Sequence, residues 1–329
     1  MVFASLLKDW TNDDFLTLER GVILAQHALA ETGLFSDENL ARILDNHPES
    51  ELTISTMGDD PTRFDWIEGE RNGASGEQII RLVHEGKLWL NVRRILDFDR
   101  EIREAVDSIY AELESRSPGF KAEQRSANLL ISSSTAMVPY HVDMPVNMLW
   151  HIRGRKRVWV YPHFDLRFVS QTVLEKVCAG ELSEDVPYDP AFDRFALVFD
   201  VEPGQLLTWP QLTPHRVQNL GGFCVSLSTE HKNPRARRRI NVHEANYWLR
   251  RNCGRFCRST SADDWKAYVK QALIRGIRLS RRLTAGKAKD QFVYSKAFKI
   301  DLDQPNGISM IEQAQVVIPR ELQTSGSES

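Results

Sequence analysis

The residues of this chain best suited to chemistry are histidines followed two positions later by a carboxylate. The pattern occurs at His47-Pro48-Glu49, His141-Val142-Asp143 and His163-Phe164-Asp165. In a β-strand, residues i and i+2 point to the same side, so such a pair at a strand end aims an imidazole and a carboxylate at one point. With one further ligand, such a pair can hold a divalent metal ion.

The surrounding sequence favours one of the three pairs. His141 and Asp143 end a strand-like segment. His47 lies in a loop-like stretch, and His163 begins a long gap between strand-like segments. A third ligand is expected to open a later strand, and His215 follows Pro214 in that position. Two histidines and one carboxylate leave three coordination positions open, as non-haem iron(II) oxygenases require. The alternative for His215 alone is a surface histidine after a proline.

A β-rich core must position these residues, because hydrophobic alternation with a period of two begins near Ala127. Glycine-containing turns at 153–155, 202–204 and 219–222 are expected to join consecutive strands tightly. Short antiparallel strands of this number predict a barrel or jelly roll. The eight segments are Ala127–Ser133, Met137–His141, Asn147–Arg153, Lys156–Tyr161, Phe195–Val201, Gln205–Trp209, His215–Asn219 and Phe223–Thr229.

Helical periodicity dominates on both sides of this core. Residues 1–120 are expected to form a mostly helical N-terminal region, with helices at Thr11–Thr32, Ser36–Leu44, Glu77–His84 and Asp99–Ser115 and a short strand at Leu88–Val92. Residues 121–231 form the predicted core, with an insertion at 163–194. Residues 232–310 form a basic helical region, and 311–329 a flexible tail.

Charge is distributed unevenly, although the chain's net charge is only -3. Between Lys232 and Lys299 there are 19 lysines and arginines against 4 acidic residues. This segment either binds an acidic partner or docks on the acidic remainder of the chain. Nucleic acid is an unlikely partner, because no zinc finger or helix-turn-helix pattern is present.

The N-terminus does not resemble a signal peptide, and no apolar run is long enough to span a membrane. The four cysteines form no CxxC pair, so Cys253 and Cys257 are interpreted as reduced thiols. We therefore expect a cytoplasmic setting without membrane association.

The run HVDMPVNMLWHIRGRKRVWVYP, from His141 to Pro162, resembles the core of JmjC and factor-inhibiting-HIF-like oxygenases. That family has an Asn six residues after the metal His, then Gly-x-Lys before an apolar strand ending in Tyr-Pro or Phe-Pro. Asn147, Gly154, Lys156 and Tyr161 occupy those places. The segment from Pro203 through His215 to Gly222 is similar to the family's distal-histidine region.

The resemblance implies a double-stranded β-helix (jelly roll or cupin) that binds iron(II) through His141, Asp143 and His215. It assigns no catalytic residue beyond the metal centre. Lys156 would pair with the distal carboxylate of the cosubstrate 2-oxoglutarate, and Asn147 would lie near its iron-bound carboxylate. Ser228 is a further cofactor-site candidate. The alternatives are an exposed hairpin lysine, a turn asparagine and an ordinary strand serine.

One position departs from the family pattern. The asparaginyl-hydroxylase relatives have a Thr three residues before the metal His, where this chain has Val138. A hydroxyl of Ser132, Ser134 or Thr135, or a polar group near Trp89 and Asn91, is the expected substitute.

The implied activity is 2-oxoglutarate-dependent hydroxylation of a protein or peptide side chain. A small-molecule hydroxylase of the same mechanism and a non-catalytic cupin-like binding or regulatory protein stay open as alternatives. The amphipathic segment Trp265–Leu283 is a candidate dimerisation helix for a homodimer, with ordinary core packing as the other interpretation.

Overall fold

The computed structural model describes residues 5–58, 60, 65–254, 259–284 and 296–311. The strands are β1 (Leu7–Lys8), β2 (Ile23–His27), β3 (Leu52–Thr56), β4 (Ile67–Glu70), β5 (Trp89–Val92), β6 (Glu123–Ser132), β7 (Met137–His141), β8 (Val146–Val160), β9 (Leu197–Val201), β10 (Gln205–Thr208), β11 (His215–Lys232), β12 (Lys296–Ile300) and β13 (Ile308–Met310). The α-helices are α1 (Asn12–Thr17), α2 (Asp37–Asn46), α3 (Gly76–Glu85), α4 (Ile95–Phe98), α5 (Arg100–Arg116), α6 (Gln171–Cys178), α7 (Pro234–Cys253) and α8 (Trp265–Thr284).

Two long strands, β8 and β11, form the centre of the fold. They pair antiparallel along their whole length, from Val146 opposite His231 to Val160 opposite His215. Their outer neighbours change halfway. The first half of β8 pairs with β10 and the second half with β9, while β11 pairs first with β7 and then with β6. The ribbon thus joins two sections of one 13-stranded sheet, β10-β8-β11-β6 and β9-β8-β11-β7, and the predicted jelly-roll core flanked by helices is confirmed.

Glycines bend this ribbon without ending its strands. The hairpins expected at 153–155 and 219–222 are wrong, because β8 and β11 continue through both positions. Gly154 has a φ of 78° and Gly222 a φ of 75°, which are left-handed conformations suited to glycine. The pairing register shifts there, so the glycines form bulges that turn the ribbon. The chain does turn at Gly204, which lies between β9 and β10.

The N-terminal region contributes strands as well as helices. The helix predicted over Thr11–Thr32 is wrong beyond its first part, where α1 is capped by Thr11. The chain then forms β2, whose alternate residues Ile23, Ala25 and His27 are buried while the strand pairs with β10. Pairing with a sheet edge outweighs local helical periodicity here. Strands β1 to β5 all join the sheet, and the short strand expected at Leu88–Val92 is present as β5.

The helices cover the sheet with apolar faces. Helix α5 buries the stripe that contains Ile102, Val106 and Ile109. In the basic region, Arg250 of α7 forms an ion pair with Glu175 of α6 at 2.8 Å. Part of the positive charge of this region is therefore neutralised within the chain. Of the helices the structure describes, none combines the length and apolar character needed to cross a membrane. The predicted tail at 311–329 and Cys257 fall almost wholly outside the described residues.

Substituting Gly154 tests whether the bend holds the fold together. A Cβ at Gly154 would lie 2.5 Å from Cys224 Sγ and 2.8 Å from the Phe223 carbonyl oxygen, in a backbone conformation that is itself strained. We expect Gly154→Ala to lower the free energy of unfolding by about 2–4 kcal/mol. Gly119 also has a positive φ but meets nothing within 4 Å, so Gly119→Ala should cost only about 1 kcal/mol. Urea unfolding measures both, and equal losses would contradict this account of the bend.

Candidate metal centre

The three predicted ligands meet at one end of the ribbon. His141 is the last residue of β7 and pairs directly with His215, the first residue of β11. Asp143 lies two residues after His141. One candidate ligand atom from each of the three residues lies within 4.8 Å of the others. Neither His47 nor His163 belongs to this group.

Backbone carbonyls fix the orientation of both imidazoles. Nδ1 of His141 lies 2.7 Å from the Pro139 carbonyl oxygen, and Nδ1 of His215 lies 3.0 Å from that of Thr213. A carbonyl oxygen can only accept, so Nδ1 carries a hydrogen and Nε2 is the nitrogen left to bind a metal ion. The two Nε2 atoms lie 3.8 Å and 3.4 Å from the Asp143 carboxylate oxygens. Two imidazoles and one carboxylate fit the donor set of a facial iron(II) site.

His215 is enclosed by aromatic groups. Its ring centroid lies 4.3 Å from that of Trp209 and 4.0 Å from that of His141. Burial, followed by the neighbouring His141, lowers the pKa of His215 to about 3. The imidazole is therefore neutral near pH 7, which is the form that can bind a metal ion.

A chain of hydrogen bonds orients the Asp143 carboxylate. Asn147 Nδ2 donates to Asp143 Oδ2 at 2.8 Å, and Ser228 Oγ donates to Asn147 Oδ1 at 2.9 Å. The backbone carbonyl of Asn147 accepts from Thr208 Oγ1 at 2.8 Å. Asn147 and Ser228, predicted to contact the cosubstrate, thus lie in contact with each other and behind a ligand carboxylate.

Three further carboxyl groups surround the centre, and sequence reasoning missed them. Glu184 Oε1 accepts from the Met144 backbone N–H at 2.8 Å, while the backbone of Asp185 forms an isolated antiparallel β-bridge with that of His141. Burial, then proximity to Asp143, raises the pKa of Glu184 and of Glu230 to about 7. Glu184 and Asp185 belong to the insertion, which carries no motif that would identify them.

The contacts of Arg216 with Asp193, Tyr161 and Trp159, called here the Arg216 clasp, hold the insertion beside His215. Arg216 forms an ion pair with Asp193, and its Nε donates to the Tyr161 hydroxyl at 3.0 Å. That hydroxyl in turn donates to Asp193 Oδ1. The Arg216 guanidinium carbon lies 3.4 Å from the Trp159 ring centroid. Residues at both ends of the insertion are therefore tied to the strand that carries His215.

Lys156 lies inside the core, where its side chain faces a small cavity. It is only 5% exposed, which contradicts the alternative of an exposed hairpin lysine. Burial lowers its pKa, and no hydrogen bond or ion pair to its ammonium group occurs within the described ranges. An unpaired buried cation is costly, so the cavity suits an anionic group. The cavity is lined by Trp89, Leu130, Ser132, Ala136, Val138, Leu149, Lys156, Val217 and Asn219.

Ser132 and Asn219 supply the polar side of this cavity. Asn219 is the strand partner of Lys156, and its Nδ2 donates to Ser132 Oγ at 2.9 Å. Val138, which replaces the family's threonine, also lines the cavity. Of the hydroxyl groups expected to substitute for that threonine, Ser132 lines the cavity, while Ser134 and Thr135 do not. Asn91 does not line it either. Asn219 was missed from the sequence, although the register of β11 against β8 would identify it.

A known protein family and several solved structures are similar to this chain. Residues 82–235 match the family described as a cupin-like domain. No curated protein matches the chain. Solved structures similar to it include Escherichia coli ycfD, at 18% identity and a TM-score of 0.49, covering 84% of this chain and 69% of that chain.

A second similar structure is YcfD, described as a ribosomal oxygenase from Escherichia coli, in complex with cobalt and 2-oxoglutarate. It shares 18% identity at a TM-score of 0.48, covering 84% of this chain and 68% of that chain. The complex with cobalt and succinic acid shares 17% identity at a TM-score of 0.45, with the same coverage of both chains.

The segment that carries β6 to β11 thus lies within the match to a cupin-like domain, as the predicted jelly-roll core implies. The narrower resemblance to factor-inhibiting-HIF-like hydroxylases stays a prediction.

Replacing Lys156 tests whether its charge is uncompensated. We expect Lys156→Met to raise the free energy of unfolding by about 1–3 kcal/mol in buffer without dicarboxylates, because a buried ammonium is removed. Burial lowers the folded-state pKa below the ordinary 10.5, so the unfolded chain binds more protons between those values. The advantage of the variant should therefore shrink as pH rises toward 10.5.

Lys270 provides the control for this experiment. It is 7% exposed, but its ammonium group donates to the Ser259 carbonyl oxygen. Lys270→Met should lower stability, because it removes one of two donors to that carbonyl oxygen and leaves only Asn246 Nδ2 at 3.1 Å. Chemical denaturation across pH measures both variants. A loss of stability in Lys156→Met would show that its ammonium already has a partner.

Proposed function

We propose that this protein is an iron(II)- and 2-oxoglutarate-dependent oxygenase that hydroxylates a protein or peptide side chain. The observation that carries the proposal is the convergence of His141, Asp143 and His215 at the end of the ribbon that also carries Lys156, the one cation among the described residues that line the cavity. A metal triad and a separate buried cation provide two fixed points for one small dicarboxylate.

Each residue has a definite role in this proposal. His141, Asp143 and His215 would hold iron(II). The metal would supply the redox chemistry by which 2-oxoglutarate and dioxygen give succinate and carbon dioxide while a C–H bond of the substrate is hydroxylated. Lys156 pairs with the distal carboxylate of 2-oxoglutarate, and Ser132 adds a hydroxyl beside it. Asn147 and Ser228 orient the Asp143 carboxylate, and their predicted place beside the cosubstrate is kept as part of the proposal.

The wider assignments belong to the same proposal. The insertion, held beside His215 by the Arg216 clasp, is positioned to shape substrate access. We retain a cytoplasmic setting, which the free thiols of Cys178, Cys224 and Cys253 support. Dimerisation through α8 is retained as well, because Trp265 and Val269 are 71% and 58% exposed on one face of that helix.

Succinate formation tests the assignment directly. The wild-type protein with iron(II) and 2-oxoglutarate should form succinate, while His141→Ala and His215→Ala should lose more than about 100-fold of that rate, because each removes a metal ligand. Lys156→Met should raise the KM for 2-oxoglutarate by about 10- to 100-fold through loss of a charge-assisted hydrogen bond. His163→Ala removes an exposed histidine from an identical motif and should keep full activity.

Each result has a defined meaning. Equal succinate formation in wild-type protein and in both histidine variants would reject the oxygenase assignment. Binding of metal and 2-oxoglutarate without succinate formation, with or without added peptides, would indicate a cupin-like binding protein.

The hydrogen-bond chain behind Asp143 gives a separate prediction. Asn147→Ala should weaken manganese(II) binding by about 10-fold, because the carboxylate loses the donor that orients it. Ser228→Ala removes only the next link and should have a smaller effect. Isothermal titration under anaerobic conditions measures both. Unchanged manganese affinity in Asn147→Ala would show that the Asp143 carboxylate is oriented by other contacts.

A further inference from the structure

Arg239, on helix α7, carries a buried charge with few partners. Its residue surface is 9% exposed. Toward the described residues, the guanidinium donates one hydrogen bond, from Nη1 to Gln211 Oε1 at 3.3 Å, and its central carbon lies 4.5 Å from the Phe164 ring centroid. Among the residues that the structure describes, no carboxylate lies within ion-pair distance of it. Most of its five N–H donors are therefore unused.

The nearest acidic groups are already paired with other residues. Asp263 accepts from Arg235 at distances down to 2.7 Å, and Glu19 accepts from His231 and Asn233. Burial, with Arg235 as the next cause, lowers the pKa of Arg239 to about 10, so the guanidinium still carries its charge near pH 7. A buried charge without a counterion is costly unless an anion binds to it.

Backbone strain is concentrated around this guanidinium. Phe164, whose ring contacts Arg239, has a φ of 59° although it is a bulky residue, and it is 54% exposed. Leu212, next to Gln211, has a φ of 62°. Such conformations cost about 1–3 kcal/mol each and cluster at binding and active sites. The exposed Phe164 ring covers Arg239 on one side and faces solvent on the other.

The same residues connect Arg239 to the metal centre. Gln211 Nε2 donates to the Met144 carbonyl oxygen at 2.6 Å, next to Asp143. The backbone N–H of Leu212 donates to the Asp143 carbonyl oxygen at 3.2 Å. A group bound at Arg239 would therefore lie against the loop that carries a metal ligand.

We propose that Arg239 is a substrate-binding residue whose guanidinium, beneath Phe164, binds one carboxylate of an acidic peptide segment. That the segment belongs to the substrate rests on the proposed oxygenase function. One uncompensated positive charge matches a monoanion, and the planar fork of donors matches a carboxylate. Phe164 and Leu166, which is 49% exposed, offer an apolar surface to the flanking part of the same peptide.

Peptide binding to the full-length protein tests the proposal. The probe is a fluorescein-labelled dodecapeptide of alternating glutamate and alanine, compared by anisotropy with its glutamine counterpart. Wild-type protein should prefer the glutamate peptide by about 10-fold or more. Arg239→Met should remove that preference. Arg239→Lys, which keeps the charge but loses the planar fork, should retain only part of it.

Arg235 supplies the matched control. It lies one turn earlier on α7, it is exposed, and Asp263 already neutralises it. Arg235→Gln should therefore keep both the glutamate preference and wild-type succinate formation. An equal loss of preference in Arg235→Gln and Arg239→Met would reduce the effect to general surface charge and overturn the proposal.

Thermal unfolding separates a binding role from a purely structural one. Without peptide, Arg239→Met should melt at or above the wild-type temperature, because an uncompensated buried charge is gone. The glutamate peptide should raise the Tm of wild-type protein and not that of the variant. A lower Tm in both Arg239 variants, or an unaltered glutamate preference in Arg239→Met, would overturn the proposal. If the wild-type protein forms no succinate, the oxygenase assignment is refuted, but the anion-binding role of Arg239 is not.

Discussion

The antiparallel pairing of β8 with β11, maintained through bends at Gly154 and Gly222, is the constraint on which the rest of the structure depends. Because the ribbon bends instead of ending, one pair of strands contributes to both sections of the sheet. The bend places Lys156 opposite Asn219 in the interior and carries His215 to the strand end opposite His141. The triad and the cavity are therefore two consequences of a single register.

Unbalanced charge is the common property of the functional regions. Glu184 and Glu230 are half-buried near Asp143, so this side of the centre has an excess of acidic groups. Lys156 and Arg239 are buried cations without carboxylate partners among the described residues. Separate regions of opposite sign, each shielded from water, favour ligands that carry complementary charge at more than one point.

The sequence predicts those features that depend on short periods. The His-x-Asp spacing and strand period identified His141 and Asp143, and the position opening a late strand identified His215. The bend at Gly154 was misinterpreted, because a glycine in a bulge and one in a hairpin look alike locally. Asn147 and Ser228 lie close to the centre, yet their partner is a carboxylate, which only tertiary packing reveals. Arg239 and the residues of the insertion belong to no sequence motif, so only their contacts in the folded chain indicate their roles.

The Arg216 clasp has a consequence for how this scaffold can diversify. Tyr161 precedes the insertion and Asp193 lies near its end, and both bind the residue that follows His215. The segment between Tyr161 and Asp193 is therefore held at both ends, so its length and composition can vary while the contacts of Arg216 are kept. Exchange of that segment, in nature or in a library, offers a route to altered selectivity with little disturbance of the strand that holds the distal histidine.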